Sequence, residues 1–409
     1  MTAAPLLERA DWTLECSSCS AVRGPEGLPT VCDQCGMPWL VRYPARAPSL
    51  FERAELRRRH GMWRYRPFLP LIPGEEPITL GEGDTPLLPF ERTGRRLGAE
   101  DLWVKDEGAN PTGSFKARGL SAAITRAVAA GAERFVLPTA GNAGIAAAAY
   151  GARAGRPVRV YAPRTTPGTI LSQIRAFGAE LVLLDGHIGD CGRASRAYAT
   201  ETGALDLSTL REPYRIEGKK TLGLELAMQL GWTLPDAIIY PTGGGTGLIG
   251  MWKAFQELLA AGWVRGATPR MYSVQSSGCA PVVRAFASGA EACAAWMEPW
   301  TVASGLRVPA PLGGRVMLRV LRESEGGAVA VDDEALAREA RLATRESGVD
   351  FSPEGGAALA AVASLLASGA LRPEDRIVAF NTGAGWLYRD PVLSFNQDTT
   401  RDPGDLPLV

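Results

Sequence analysis

Lys105-Asp106-Glu107-Gly108-Ala109-Asn110-Pro111-Thr112-Gly113-Ser114-Phe115-Lys116-Ala117-Arg118-Gly119 is the stretch on which the fold turns. The run at 102–106 predicts a strand, Asn110, Pro111 and Gly113 break it, and Ser114 is placed to cap a helix over 114–130. Lys116 then falls in the first helical turn. The positive end of a helix dipole disfavours an ammonium ion there and promotes the neutral amine, the form that attacks a carbonyl carbon. A phosphate-gripping lysine is an alternative, but P-loop spacing is absent, since Ala117 follows the lysine and only Gly113 precedes it closely. A tolerated surface lysine is the third reading. The choice of amine is short in any case, because the chain holds only Lys105, Lys116, Lys219, Lys220 and Lys253.

Two further strand-to-helix turns have the chemistry of a ligand site. Pro138-Thr139-Ala140-Gly141-Asn142-Ala143-Gly144 follows an apolar strand and opens an Ala-rich helix. Asn142 serves there as a cap, and small Ala140 and Gly141 let a ligand approach the backbone. Pro241-Thr242-Gly243-Gly244-Gly245-Thr246-Gly247 also lies between a strand and a helix. Consecutive glycine amides at a helix N-terminus cradle an anion, and a phosphate is the natural guest. Gly245, Gly247 and Gly250 fit GxGxxG as well, which would suggest a nicotinamide-dependent oxidoreductase. The following strand ends Gln275-Ser276-Ser277-Gly278, without the acid that grips ribose, so the phosphate reading is preferred.

Outward from these turns the pattern alternates. Strands are expected at 102–106, 134–139, 157–163, 179–185, 204–209, 237–242, 270–275 and 376–381. Helices are expected at 114–130, 142–154, 168–177, 217–230, 246–261 and 353–368. Such alternation predicts an α/β protein with parallel sheets and ligands at the carboxyl ends of the strands. The chain has 409 residues, 46% hydrophobic, with 44 basic and 44 acidic side chains. It is long enough for two to three domains, and its zero net charge offers no general field for nucleic acid or membrane. His60 and His187 are the only histidines, which argues against a Ser-His-Asp machine and excludes a multi-histidine metal centre. The N-terminus has no apolar core of signal-peptide length and no stretch reaches 18 apolar residues, so a cytoplasmic protein is expected.

The head of the chain reads differently. Cys16-Ser17-Ser18-Cys19 and Cys32-Asp33-Gln34-Cys35 can set four thiolates on a tetrahedron, the structural zinc arrangement, with iron or a metal-free relic as lesser readings. The flanks do not open a helix of a βαβ unit, which a redox CxxC would do. Acids outnumber arginines over 1–43, a poor surface for nucleic acid. The segment 44–75, with arginines interleaved with glutamates over Glu52–Arg59 and prolines at 67, 70 and 73, is expected to be a solvated helix face and a wrapping linker. Glu354 in Ser352-Pro353-Glu354-Gly355-Gly356 is read as a capping residue, His187 as a surface residue, and Cys191, Cys279 and Cys293 as packing residues.

Taken together the motifs resemble the threonine synthase family, pyridoxal-phosphate-dependent enzymes of the tryptophan-synthase-β type. Lys105–Lys116 is similar to that family's lysine segment and Gly81-Glu82-Gly83-Asp84-Thr85-Pro86-Leu87 to the motif preceding it. Thr139–Gly144 is similar to its asparagine loop, Gly243–Gly247 to its phosphate loop, and Pro213-Tyr214-Arg215-Ile216-Glu217-Gly218-Lys219-Lys220-Thr221 to a stretch near its substrate. Asn381-Thr382-Gly383-Ala384-Gly385 stands in the place of its pyridine-nitrogen loop. The resemblance covers about 60–390, and cysteine-paired heads occur in relatives.

It implies a two-domain fold type II structure with a small N-terminal zinc ribbon, divided as 1–43, 44–109, 110–210 and 211–409, with the cofactor between the smaller domain and the larger. It implies that Lys116 holds pyridoxal 5'-phosphate covalently, that Asn142 meets the ring oxygen, and that Gly243, Gly244, Gly245, Thr246 and Gly247 hold the phosphate. Thr382 would face the pyridine nitrogen with a neutral hydroxyl, which leaves that nitrogen largely unprotonated. Ser114, Thr139, Ala140 and Gly141 would receive the substrate, its carboxylate on Thr139–Asn142, and Arg215 would meet a substrate phosphate. Cys16, Cys19, Cys32 and Cys35 would hold structural zinc. The implied reaction converts O-phosphohomoserine to threonine and phosphate, in a homodimer acting on a small amino acid without nucleic acid or membrane. The alternatives are a threonine or serine ammonia-lyase, a β-replacement enzyme acting on O-phosphoserine, and a non-catalytic module that retains the fold. Departures from the family pattern are Ala117 where many members have aspartate, glycines and Leu248 where many bacterial phosphate loops carry asparagines, and Trp386-Leu387-Tyr388 where Leu-Lys is usual. They bear on the substrate more than on the cofactor.

Overall fold

The computed structural model describes residues 11–44, 53–72 and 74–389. The extreme N-terminus, residues 45–52, Pro73 and the tail from residue 390 lie outside these. A three-stranded antiparallel sheet in the order β2-β1-β3 forms the head, from β1 (Thr13–Cys16), β2 (Val22–Arg23) and β3 (Trp39–Arg42). Trp12, Leu14, Trp39 and Val41 are buried and continuous with the core of the main body, so the head is packed down rather than tethered. Arg53–Arg58 forms the short helix of the arginine-rich stretch.

The remaining strands are β4 (Leu87–Pro89), β5 (Asp101–Asp106), β6 (Phe135–Pro138), β7 (Val158–Pro163), β8 (Glu180–Leu184), β9 (Leu205–Asp206), β10 (Ala237–Pro241), β11 (Arg270–Ser276), β12 (Gly327–Val331) and β13 (Arg376–Asn381). They make a six-stranded sheet, β12-β11-β10-β13-β5-β4, and a four-stranded sheet, β8-β7-β6-β9. Only β4 runs antiparallel to its neighbour. The apolar runs Ala237–Tyr240 and Ile377–Phe380 are buried throughout, as strands covered on both faces must be. The chain is thus α/β with parallel sheets and a small cysteine-bearing head.

Register fixes where the loops go. Asp106 pairs with Asn381 and Ile239 with Ala379, so β5, β13 and β10 end side by side. Their three carboxyl-end loops therefore open together, and the loop after β6 faces them from the second sheet.

The expected elements appear with shifts of up to three residues at their ends. β9 spans only Leu205–Asp206 of the expected 204–209, because Ser208 turns back on Asp206 through its amide and hydroxyl. The helices Ile188–Thr202, Gly314–Glu323 and Asp333–Ser347 and the edge strand β12 went unanticipated. The helices are amphipathic, with charged residues opposite an apolar packed face, and β12 is a short uncharged run of small apolar residues without polar alternation.

Two helices hold the centre. Lys116–Ala129 crosses Tyr214–Gln229 where Gly119 meets Gly218, and a Cβ on Gly218 would run into the Arg118 carbonyl. At this crossing four charged side chains have no exposure. Arg118 donates to Glu107 at 2.7 and 2.8 Å and to Glu225 at 2.9 and 3.1 Å, and Lys105 donates to Glu225 at 2.6 Å. Burial alone would push both carboxyls up, but the Arg118 guanidinium outweighs it and holds them well below the usual range. Buried charge is tolerated only when paired, and deleting one partner strands the others at a cost of about 3–5 kcal/mol. Replacing Arg118 with Met is therefore expected to lower the unfolding free energy from urea denaturation by that order, and a value equal to wild type would show that the cluster does not hold these helices.

Candidate active site

The Lys116 turn is stitched to the loop after β13. Asp106 accepts from the Gly108 amide at 3.1 Å and starts a short 3-10 turn, and the Asn110 side chain closes it on the Glu107 carbonyl at 2.8 Å. Gly113 takes φ 68°, where a Cβ would press on Trp386 and Leu387. Ser114 forms a bridge with Gly383, the Phe115 amide donates to the Thr382 carbonyl at 3.0 Å, and the Ala384 amide donates to the Gly113 carbonyl at 2.8 Å. Ser114 is thereby not the expected cap. The chain enters the helix through Phe115, already helical at φ −55°, and the Ser114 hydroxyl stays 3.4 Å from the Lys116 amide.

The Lys116 amine lies 4.2 Å from the centre of the Phe115 ring. Burial, and then the positive charge of Arg215, push it down to about 7 against the opposing pull of Glu354. Lys219 donates to the Phe115 carbonyl and covers the same ring at 4.1 Å. Its own ammonium form is disfavoured well below the ordinary lysine value, first by burial and then by Lys116. Two amines and an arginine thus share a space with little room for positive charge.

A cavity of about 130 Å³ opens beside Lys116. Its walls bring together Lys116, Thr139–Asn142, Arg215, Gly243–Gly247 and Thr382 from five separate parts of the chain. Ser114 is not among its lining residues, although it adjoins two that are. The glycines are glycines for a physical reason. A Cβ would meet the Gly305 carbonyl at Gly243, the Thr209 methyl at Gly244, Met317 at Gly245 and the Tyr240 hydroxyl at Gly247. Gly245 also needs φ 83°, ahead of the helix Thr246–Ala260.

On the opposite wall Gly141 precedes the helix Asn142–Arg153, so Asn142 is its first residue rather than its cap. The Thr139 hydroxyl is engaged locally with the Gly141 amide and carbonyl at 3.1 Å, which leaves backbone donors of the helix terminus to a ligand. Arg215 stands in the first turn of Tyr214–Gln229, whose amides at Tyr214 and Arg215 donate to Glu212. Arg215 is 1% exposed, and its Nη1 donates to the Leu207 carbonyl at 2.7 Å. Its Nε and Nη2 find no partner among the described residues.

Several wall residues went unrecognised in the sequence. Ser304–Val308 comes from a long loop without a motif, and Tyr388 follows the β13 loop. Glu354 was expected to cap a helix, but Ser352 does so, accepting from the Gly355 amide at 3.1 Å. The Glu354 carboxylate instead turns into the cavity and accepts from the Gly305 amide at 2.8 Å. The two glycines after it admit close neighbours instead, Asn381 at Gly355 and the Leu336 carbonyl at Gly356, so nothing local marked the acid as a cavity residue. His187 precedes the helix Ile188–Thr202 and donates its amide to Asp190 at 2.7 Å, a local helix-start contact.

In the head, Cys16, Cys19, Cys32 and Cys35 bring their sulfurs within 4.8 Å of one another, with neighbouring pairs at 3.4, 3.5 and 3.6 Å. Four thiolates around zinc at the usual Zn–S length stand about 3.8 Å apart. No helix of the described residues is long and apolar enough to cross a membrane.

Residues 78–383 match the family model described as pyridoxal-phosphate dependent enzyme. A threonine synthase of Methanocaldococcus jannaschii is 32% identical over 87% of this chain and 88% of that protein. One of Methanosarcina acetivorans is 32% identical over 92% of each. Among solved structures, a threonine deaminase of T.th. superposes with TM-score 0.60 and 27% identity, covering 73% of this chain and 92% of that one.

The amine at Lys116 is expected to be about half deprotonated at pH 7 and neutral above it. Reductive methylation followed by peptide mass spectrometry should show its labelling rise with pH around a midpoint of about 7. A midpoint near 10 would place an ordinary solvated ammonium there.

Proposed function

Because the chain belongs to the threonine synthase family of pyridoxal-phosphate-dependent enzymes and is a fold type II lyase, we propose that it converts O-phosphohomoserine to threonine and phosphate. The observation that carries this is Arg215, a fully buried guanidinium with two unpartnered nitrogens in the wall of the cavity that Lys116 enters. Such a group needs an anion, and the second anion of a phosphorylated amino acid supplies one.

The cavity suits the cofactor. Four glycines of the five residues 243–247, with no space for side chains behind them, leave backbone donors free at a helix N-terminus, the chemistry a phosphate needs. We assign that phosphate to Gly243–Gly247, the ring oxygen to Asn142, the ring nitrogen to the Thr382 hydroxyl, and the covalent link to Lys116. When bound, pyridoxal phosphate supplies the electron sink that lets an amino acid lose its α-proton. The chain supplies the rest. The Thr139–Asn142 turn, whose Thr139 and Gly141 amides are engaged within the protein, offers its remaining amides to the substrate carboxylate, with Ser114 beside them. The Lys116 amine, once neutral, takes the proton at Cα and then one at Cβ, returns a proton to Cγ after the phosphate has left and another to Cα at the end, and Glu354 is close enough to stabilise the ammonium form between these transfers. Arg215 holds the phosphate that departs from Cγ. The two sheets, with 110–210 as the smaller domain, close the cavity from either side, and water is admitted at Cβ.

A second reading is an ammonia-lyase acting on threonine or serine, or a β-replacement enzyme using O-phosphoserine. The 27% identity to a threonine deaminase favours it, as does a phosphate loop of glycines in place of asparagines. Arg215 weighs against the deaminase form, since neither threonine nor serine brings a second anion. We further assign structural zinc to the four cysteines and a homodimer to the native state.

Phosphate release is expected from O-phosphohomoserine with equimolar threonine, and Lys116→Ala should abolish it by at least about 10³-fold. Oxoacid from threonine, with O-phosphohomoserine inert, would instead establish the second reading. For the head, Cys32→Ser is expected to reduce bound zinc from one per chain to well under half on metal analysis. Unchanged zinc would rule out four-cysteine coordination.

A further inference from the structure

Three side chains from distant parts of the chain meet behind the cavity. Asn142 is the first residue of Asn142–Arg153, Glu354 the second of Pro353–Ala367, and Tyr388 closes the 3-10 turn Gly385–Tyr388. Tyr388 is 1% exposed. The Asn142 Nδ2 donates to its hydroxyl at 3.0 Å, and Glu354 and Ser304 are the other polar neighbours of that hydroxyl. The Asn142 Oδ1 is buried and has no partner among the described residues. An unmet buried carbonyl costs about 1–3 kcal/mol, so the network as drawn is incomplete without a change in it or a ligand.

The two ends of an asparagine amide differ only in their hydrogen bonding, and neighbours decide which way it faces. Tyr388 has one hydroxyl proton to give. With Glu354 ionised, that proton goes to the carboxylate and the hydroxyl oxygen accepts from Nδ2. With Glu354 protonated, the carboxylic acid donates to the hydroxyl and the tyrosine proton turns to Oδ1. Both Nδ2 hydrogens are then free for an anionic oxygen in the cavity.

The groups facing Glu354 are few. Lys116 is the charged one, from the helix Lys116–Ala129. The loop 303–308 gives the Gly305 amide, the Ser352 hydroxyl comes from its own helix start, and Tyr388 comes from the turn after β13. Burial raises the Glu354 carboxyl, and hydrogen bonds from its own amide, the Gly305 amide and Ser352, with Lys116 last, oppose that only in part. Both arrangements of the network are therefore accessible.

We propose that Tyr388, backed by Glu354, is the positioning residue for Asn142, its hydroxyl fixing which end of the amide meets the ring oxygen of the bound cofactor. This rests on the reading above that pyridoxal phosphate occupies the cavity. An amide donor at that oxygen stabilises its negative charge, and losing the donor makes the oxygen more basic.

The test is a pH titration of the visible absorption band of the cofactor-loaded protein, for wild type, Tyr388→Phe, Asn142→Ala and the double variant. In Tyr388→Phe the band is expected to remain and its midpoint to rise by at least about half a pH unit. The double variant should titrate like Asn142→Ala alone, as two residues acting through one contact do. A Tyr388→Phe midpoint equal to wild type, or single shifts that add in the double variant, would overturn the proposal while leaving the cofactor assignment standing. Wild type that shows no band after addition of pyridoxal phosphate would overturn both. Should Tyr388→Phe fail to fold, Tyr388→Met removes the same hydroxyl with a more adaptable side chain, and a midpoint equal to wild type there would overturn the proposal likewise.

Discussion

Arg118 sits two residues beyond Lys116 and is clamped between two carboxylates with no access to water. One carboxylate, Glu107, belongs to the turn that delivers Lys116, and the other, Glu225, to the helix that presents Arg215. Lys105 at the end of β5 completes the cluster. The strand, the turn and both helices are thus tied at one point, and the spacing from Lys116 to Arg215 follows from it. Charges so deeply buried hold a structure together only while every partner is present, which makes their geometry strict. The Gly119–Gly218 contact permits the approach.

From that fixed point the electrostatics of the cavity follow. Lys116, Lys219 and Arg215 crowd one buried region, and burial first and their mutual charge second favour the amines giving up protons, against the pull of Glu354 on Lys116 and Glu107 on Lys219. The same excess of positive potential prepares the cavity for a ligand with several anionic groups. Burial and charge therefore tune the amine and select the guest by one mechanism.

The turns around Lys116, Asn142 and the glycines were legible because each has a local physical signature: a broken strand, a helix start, and amides without side chains. The parallel architecture was legible from alternation, since buried strands such as Ala237–Tyr240 are apolar without interruption. What the sequence concealed depends on the third dimension. Nothing near Tyr388 or Ser304 marks them as cavity residues, because they arrive there through loops whose paths are set by the sheets. Glu354 looks like a helix-start acid until its neighbour Ser352 is seen to hold the cap. Helices such as Asp333–Ser347 have so polar a surface that only their packed face identifies them.

The central claim is that one amine of five carries the cofactor. Borohydride reduction of the pyridoxal-phosphate-loaded protein, followed by peptide mass spectrometry, tests it most directly. The account predicts the added pyridoxyl-phosphate mass on the peptide containing Lys116 alone. The same mass on Lys219 or any other lysine, or on none, would contradict it.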